Sequence, residues 1–207
     1  MRVLIAFIGM VLSVVACADE APKYQEGKQY HALAEPIRTD NPDKIEVREM
    51  FAYTCGHCFR FDPLLHGWAE QQADDIYLVR TPMVWAGAME PYARAYYTAN
   101  TLKVLDESHM DLFNAIHLKR TRFGSVEDFA EFFAQYDIDS DTFIKTFESF
   151  GVNSLLRQGD AKARAAEISG TPELVIDGRY RISASDTGGH KQMLEVADYL
   201  IEQLRAE

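Results

Sequence analysis

Cysteine is scarce in this chain: its 207 residues hold three. That excludes a disulfide-stapled scaffold, and a chain able to bury about 70% of its unfolded surface needs no staples. Long hydrophobic runs are missing too. Beyond Val15 no stretch approaches the roughly 18 apolar residues of a membrane-crossing helix. Positive charge is in deficit, with 21 Lys and Arg against 32 Asp and Glu, and the net charge of −11 argues against nucleic acid as a partner. Neither an internal repeat nor a low-complexity tract is visible. What is present is ordinary globular composition, 47% hydrophobic and 26% charged. At about 150 residues per domain the chain is one domain, or one domain with a large insert.

The N-terminus reads as a leader. Arg2 supplies one positive charge, and Val3 to Val15 is apolar except for Gly9 and Ser13. This length suits a signal peptide better than a membrane span. Ala16-Cys17-Ala18 fits small-x-small cleavage, so residues 1–18 are expected to be removed and Asp19 to start a soluble exported protein. Val14-Val15-Ala16-Cys17 also resembles a lipobox, which would instead anchor the protein through Cys17. After cleavage at Ala18 only Cys55 and Cys58 remain. Export brings them into an oxidising compartment. A bridge three residues apart closes almost no loop and adds little stability, so its purpose is chemical.

Hydrophobic periodicity orders the rest. Tyr30–Leu33 is a short strand candidate. Ile45–Tyr53 reads as a strand with Ile45, Val47 and Phe51 on one parity, Glu46 and Arg48 on the other, and Glu49 as a carboxylate on the apolar side. Cys55–Gln72 reads as a helix with a kink expected at Pro63, and Ile76–Thr81 as a second strand. From Trp85 to Ile168 the pattern is helical, broken at Gly124, Gly151 and Gly159, with helix starts at Ser125 and Ser140. Leu174–Ile176 and Tyr180–Ile182 flank Asp177-Gly178, a hairpin signal, and an amphipathic helix follows Gly188-Gly189. The order predicts an α/β protein: a βαβ half, a helical insert and a C-terminal ββα half around a mixed sheet. The expected segments are residues 1–18, 19–84, 85–168 (the insert) and 169–207.

The chemistry sits in Tyr53-Thr54-Cys55-Gly56-His57-Cys58, at a strand end where a helix opens. Cys-x-x-Cys in that setting is a thioredoxin-like redox motif. Free backbone N–H groups and the positive end of the helix favour a thiolate at Cys55. Cys58, one turn further in, is less accessible and close enough to close or open the small ring. A mixed disulfide with substrate then forms at Cys55 and is released or resolved through exchange. Gly56 and His57 between the cysteines are placed to tune the thiolate. A lowering by between ~1 and ~5 pK units corresponds to a range of ~30 to ~150 mV, which separates a reductant from a strong oxidant.

Several stretches together resemble the DsbA family of bacterial periplasmic thiol–disulfide oxidoreductases. They are Cys55-Gly56-His57-Cys58-Phe59 after Glu49-Met50-Phe51-Ala52-Tyr53, the stretch Thr171-Pro172-Glu173-Leu174-Val175-Ile176-Asp177-Gly178-Arg179-Tyr180, and Glu26-Gly27-Lys28-Gln29-Tyr30 near the mature start. The resemblance covers Asp19 to Glu207. It implies a thioredoxin fold with the helical insert, and disulfide donation to reduced exported proteins. It also implies reoxidation by a quinone-linked membrane partner and no cofactor beyond the Cys55–Cys58 disulfide. It identifies Pro172 with the family's cis-proline, with Thr171 before it, as the place where an extended substrate docks. Glu49 matches the buried acid beneath the cysteines, with a raised pKa and a proton-relay role at Cys58. Gly-His between the cysteines and Thr before the proline differ from the best-known members and leave the direction of electron flow open.

Other readings remain. The same site could serve a periplasmic reductase or isomerase of different poise, or a non-enzymatic copper or zinc carrier. No second Cys-x-x-Cys or His-x-x-x-His accompanies the pair to complete a zinc site. Asp137, Asp139, Asp141 and Glu148 mimic calcium-loop spacing, but Thr142 stands where the loop needs glycine, and helix capping is the expectation. Phe129, Phe132 and Phe133 are expected in the core, and His109 and His117 at the surface or in packing. No dimerisation domain precedes the redox motif, so a monomer is expected.

Overall fold

A computed structural model describes residues 22–207. The leader, its cleavage after Ala18 and the fate of Cys17 lie outside the described residues. The Tyr30–Leu33 candidate forms a two-residue strand, β1 (His31–Ala32). β2 (Ile45–Phe51), α1 (Gly56–Ala69) and β3 (Ile76–Pro82) follow. Helices α2 (Glu90–Thr101), α3 (Leu105–His117), α4 (Val126–Phe133), α5 (Ser140–Phe147) and α6 (Phe150–Ala165) fill the next stretch. The chain returns through β4 (Glu173–Ile176), β5 (Tyr180–Ser183), the one-turn α7 (Ala184–Thr187) and α8 (His190–Arg205).

The strands form one five-stranded sheet in the order β1-β5-β4-β2-β3. β2 and β3, joined by α1, are parallel; the other pairings are antiparallel. This is the mixed sheet of a thioredoxin-like fold, with α2–α6 inserted between its halves. The β4–β5 connection is the expected tight hairpin. Asp177 and Gly178, the first two of the three residues joining the strands, have φ of 50° and 62°, the positive values a tight hairpin turn favours. A Cβ at Gly178 would run into the carbonyl oxygen of Ile37, so glycine is needed there for space as well.

Both faces of the sheet are covered. Val47, Leu174, Ile176 and Ile182 pack with Phe61 and Leu65 of α1 and Met193 and Ala197 of α8. On the other face Met50 and Val175 meet Ala163 and Ala166 at the end of α6. β2 is thus buried on both parities, although its sequence alternates as if half-exposed. Its polar side tolerates this because Arg48 is fully occupied. Arg48 reaches Glu46 and Thr81 at 2.8 Å each and Asp40 at 2.6 Å. The insert has its own aromatic core around Phe113, Phe129, Phe133 and Phe143. Phe51, Tyr53 and Cys58 belong to the same cluster, so the insert seals the redox end of β2 and α1.

Several local expectations shift. α1 ends at Ala69, short of the expected Gln72, with Pro63 inside it. Gly151 and Gly159 do not break the insert; both lie inside α6. Gly159 is there for close packing, since a Cβ would strike the Tyr97 hydroxyl and press on Thr81. α4 begins at Ser125 with a reciprocal capping box to Asp128, as expected. α5 is capped one residue earlier than its sequence suggests, by Asp139, which accepts from Thr142 N at 3.0 Å.

Candidate active site

Cys55 is the N-cap of α1, and its sulfur accepts from Cys58 N at 3.4 Å. Its own N–H donates to Ala52 O at 3.0 Å, which fastens the turn leading from β2 into the helix. No acidic residue occupies the first turn of α1 to oppose a negative sulfur. Cys55 is partly exposed and Cys58 is buried, both as free thiols. The Cys55 thiol is pushed down to about 4. A hydrogen bond from the Cys58 thiol contributes most, and Thr171 and the backbone N–H groups of Cys58 and His57 outweigh with it the opposing effect of burial. The Cys58 thiol is pushed far up by burial, by its hydrogen bond to Cys55 and by the charge of Glu49. One sulfur is therefore an anion at the surface while its neighbour keeps its proton inside.

The two residues between them differ in what they supply. His57 is exposed, with Arg60 Nη2 at 3.1 Å from its Nδ1 and the His190 ring 6.0 Å away. A Cβ at Gly56 would meet only Arg60 Nη1, at 3.5 Å, so no close approach demands glycine there.

The Thr171–Pro172 peptide bond is cis. It brings Thr171 O to 3.4 Å from Cys55 Sγ, to which the protonated thiol donates. Glu173, which sequence reasoning passed over, holds this loop. Its Oε1 accepts from Gly170 N at 2.7 Å, Ser169 Oγ at 3.1 Å and Ser169 N at 3.2 Å. A groove of about 320 Å³ runs beside the loop, bordered by His57, Thr171, Pro172, Ser183 and His190.

Glu49 is 1% exposed. Its Oε2 accepts from Arg80 Nε at 3.0 Å, and its Oε1 has no partner among the described residues. Burial pushes this carboxyl up to about 8 despite the Arg80 charge, and Asp62 adds to the rise. Arg80 also reaches Asp62 at 2.8 Å. Asp62 meets His109 Nε2 at 3.1 Å, and His109 Nδ1 meets Tyr53 Oη at 2.7 Å. His109 is thus no surface residue: it joins the insert to the acid network. His117, expected in the same class, meets Tyr53 O at 2.8 Å and stacks on Phe59 at 4.9 Å. Two signals pointed here: Asp62 lies one turn after Cys58 on the same helix face, and Arg80 is the lone charge in an apolar strand. Among the described residues, no three His, Cys, Asp or Glu side chains are grouped to hold a metal ion.

A family model described as "DSBA-like thioredoxin domain" matches residues 72–200. The thiol:disulfide interchange protein DsbA of Pseudomonas aeruginosa is 33% identical over 204 residues, covering 99% of this chain and 96% of its own. The protein of the same name from Azotobacter vinelandii is 37% identical over 180 residues, covering 87% and 84%. The chain belongs to the DsbA family. Solved DsbA structures share its architecture. Pseudomonas aeruginosa DsbA superposes with a TM-score of 0.83 at 33% identity, covering 88% of this chain and 95% of that one. DsbA from Xylella fastidiosa gives 0.83 at 34%, covering 89% and 99%. The family match begins after the cysteine pair, but the alignment to the first relative spans nearly the whole chain and so includes the motif.

Proposed function

We propose that this DsbA-family chain is a thiol–disulfide oxidoreductase that introduces disulfides into reduced exported proteins at Cys55-Gly56-His57-Cys58. The observation that carries the reading is the asymmetry of the pair, with an acidic, accessible sulfur in front of a buried one that retains its proton. A substrate thiolate attacks Cys55 of the oxidised pair, and the Cys55–Cys58 bond breaks. Cys58 leaves as a thiolate and takes a proton from Glu49, a reading supported by the charge of Glu49 acting on its thiol. A second substrate thiolate attacks the substrate sulfur of the mixed disulfide, and Cys55 leaves as the stabilised anion. Two electrons pass from substrate to the pair, so the pair itself is the redox group and no separate cofactor takes part. The acidic leaving sulfur favours the reduced enzyme, which supports an oxidant over a reductase or isomerase.

Gly56 and His57 tune the pair, His57 through its backbone N–H. Thr171 and Pro172 present an open edge to an extended substrate. The leader comprises residues 1–18; residues 19–84 and 169–207 form the two thioredoxin halves around the insert of 85–168. The protein works as a soluble periplasmic monomer after cleavage at Ala18, reoxidised by a quinone-linked membrane protein. Among the described residues no helix is long and apolar enough to cross a membrane.

The test is single-turnover oxidation of a reduced unfolded protein, with the equilibrium potential measured against glutathione. The Cys55→Ser protein should lose the reaction, and Cys58→Ser should accumulate mixed disulfides through Cys55. A retained rate in Cys55→Ser overturns the assignment. A potential near that of thioredoxin reverses the direction, and stoichiometric zinc or copper on the reduced protein favours the carrier.

A further inference from the structure

His109 comes from the middle of α3, in the helical insert, yet both its ring nitrogens are spent on the redox half of the protein. It is 6% exposed. Phe51, Tyr53 and Phe113 pack around its ring at centroid distances of 5.2 to 5.3 Å, and its Asp62 side borders a cavity of about 420 Å³ that Arg80 also lines. Each partner fixes one nitrogen. Ionised Asp62 can only accept, so Nε2 carries the hydrogen and donates to it across 3.1 Å. With Nε2 protonated in a neutral ring, Nδ1 is an acceptor and takes the Tyr53 O–H at 2.7 Å. The ring is satisfied without becoming a cation.

Asp62 and Glu49 share one guanidinium, that of Arg80, at 2.8 Å and 3.0 Å. One cation does not neutralise two buried carboxylates, so one of them carries a proton. The two are not equivalent. Asp62 receives a second donor from His109. Glu49 has only Arg80 and leaves Oε1 without a partner among the described residues. The proton therefore belongs on Glu49, the carboxyl whose charge is felt at both cysteines, only so long as His109 supports Asp62.

We infer that His109 is a positioning residue for the redox site: by donating to Asp62 it makes Glu49, of the two carboxylates sharing Arg80, the one that holds a proton for Cys58. This rests on the proposed role of Glu49 and gives the insert a part in the chemistry besides covering it. The charged and titratable groups that face the ring are Asp62 from α1, Arg80 from β3, Tyr53 at the end of β2, Tyr96 from α2 and Asp106 on α3 itself. Burial outweighs the attraction of Asp62 and holds the imidazole below its ordinary value, consistent with a neutral ring.

The experiment is carboxyl titration by NMR on the reduced, full-length mature protein, with Asp and Glu side chains labelled. In the parent, Glu49 should keep its proton through neutral pH and Asp62 should not. In His109→Phe the Glu49 midpoint should fall by about one pH unit or more, a tenfold change in proton affinity, while that of Asp62 rises. His109→Gln, whose amide can bridge the same two groups, should stay near the parent. An unchanged Glu49 midpoint in folded His109→Phe overturns the inference. Where that variant does not fold, the ring nitrogens of the parent decide. A neutral ring protonated at Nε2 from pH 5 to 8 supports the inference, and an imidazolium or an Nδ1–H ring at pH 7 overturns it. The pH–rate profile of Glu49→Gln tests the relay separately. If that profile matches the parent, the relay falls, while the titrations still judge what His109 does to the two carboxyls.

Discussion

If Cys55 is ionised in the folded protein, reduction should stabilise the fold, and the effect should vanish in acid. Its thiol stands at about 4 in the fold against an ordinary value of 9.0. A depressed folded value means stability that is complete above the unfolded pKa and is lost as pH falls through the folded one. Between pH 3 and pH 7 nearly three decades of proton affinity come into play, or ~4 kcal/mol. The sulfur is about half in solvent, and discounting by half for screening leaves ~2 kcal/mol. Comparing the two redox forms at one pH is not enough, because even the small entropy contribution of the short disulfide loop acts in the opposite direction. That contribution does not depend on pH, and the carboxyls titrate in both forms. The quantity to measure is therefore a double difference: urea unfolding of reduced and oxidised protein, at pH 3 and at pH 7. Reduced minus oxidised should rise by ~2 kcal/mol from the lower pH to the higher, equivalent to ~40 mV in the potential of the pair. Cys58, whose thiol is raised, ionises only above this window. A double difference below ~0.5 kcal/mol would refute the thiolate and the oxidising role built on it.

Other consequences can be checked separately. Glu49, raised to about 8, can give a proton below that pH and not above it, so the rate of substrate oxidation should fall through pH 8. Glu49→Gln should remove that limb in stopped-flow profiles. Arg80→Met leaves the buried Asp62 carboxylate without its cation and should cost ~3–5 kcal/mol in urea unfolding near neutral pH. Gly159→Ala should cost ~1–3 kcal/mol through overpacking against Tyr97 and Thr81, with the Cys55 alkylation profile unmoved. Glu173→Ala frees Ser169 and Gly170 and should raise KM for a peptide substrate more than it lowers kcat.

What could be read from the chain in advance was what local chemistry encodes. A cysteine pair at a strand end announces itself, because the N-cap position and the helix it opens are adjacent in sequence. Asp177-Gly178 and the Ser125 cap are legible for the same reason. Glu49 could be flagged as a carboxylate on an apolar parity, and Asp62 and Arg80 stand out singly, but that these groups meet could not be read. Arg80, Asp62 and His109 lie 31, 13 and 60 positions away, and only packing of β3, α1 and α3 brings them together. Arg48 and Glu46 looked like a wet face of β2; their burial depends on Asp40 and Thr81 arriving from elsewhere. Gly151 and Gly159 looked like breaks because glycine is a poor helix former, and tertiary contact outweighed that preference.

The contact between Cys55 and Thr171 bridges 116 positions. A chain in which α1 has not formed carries only an unexceptional dithiol, because Cys58 and the first N–H groups of the helix do most to make Cys55 acidic. Iodoacetamide added at mildly acidic pH would label the native molecule and spare the rest. The extent of that labelling gives, from a single sulfur, a census of how many molecules have folded around the pair.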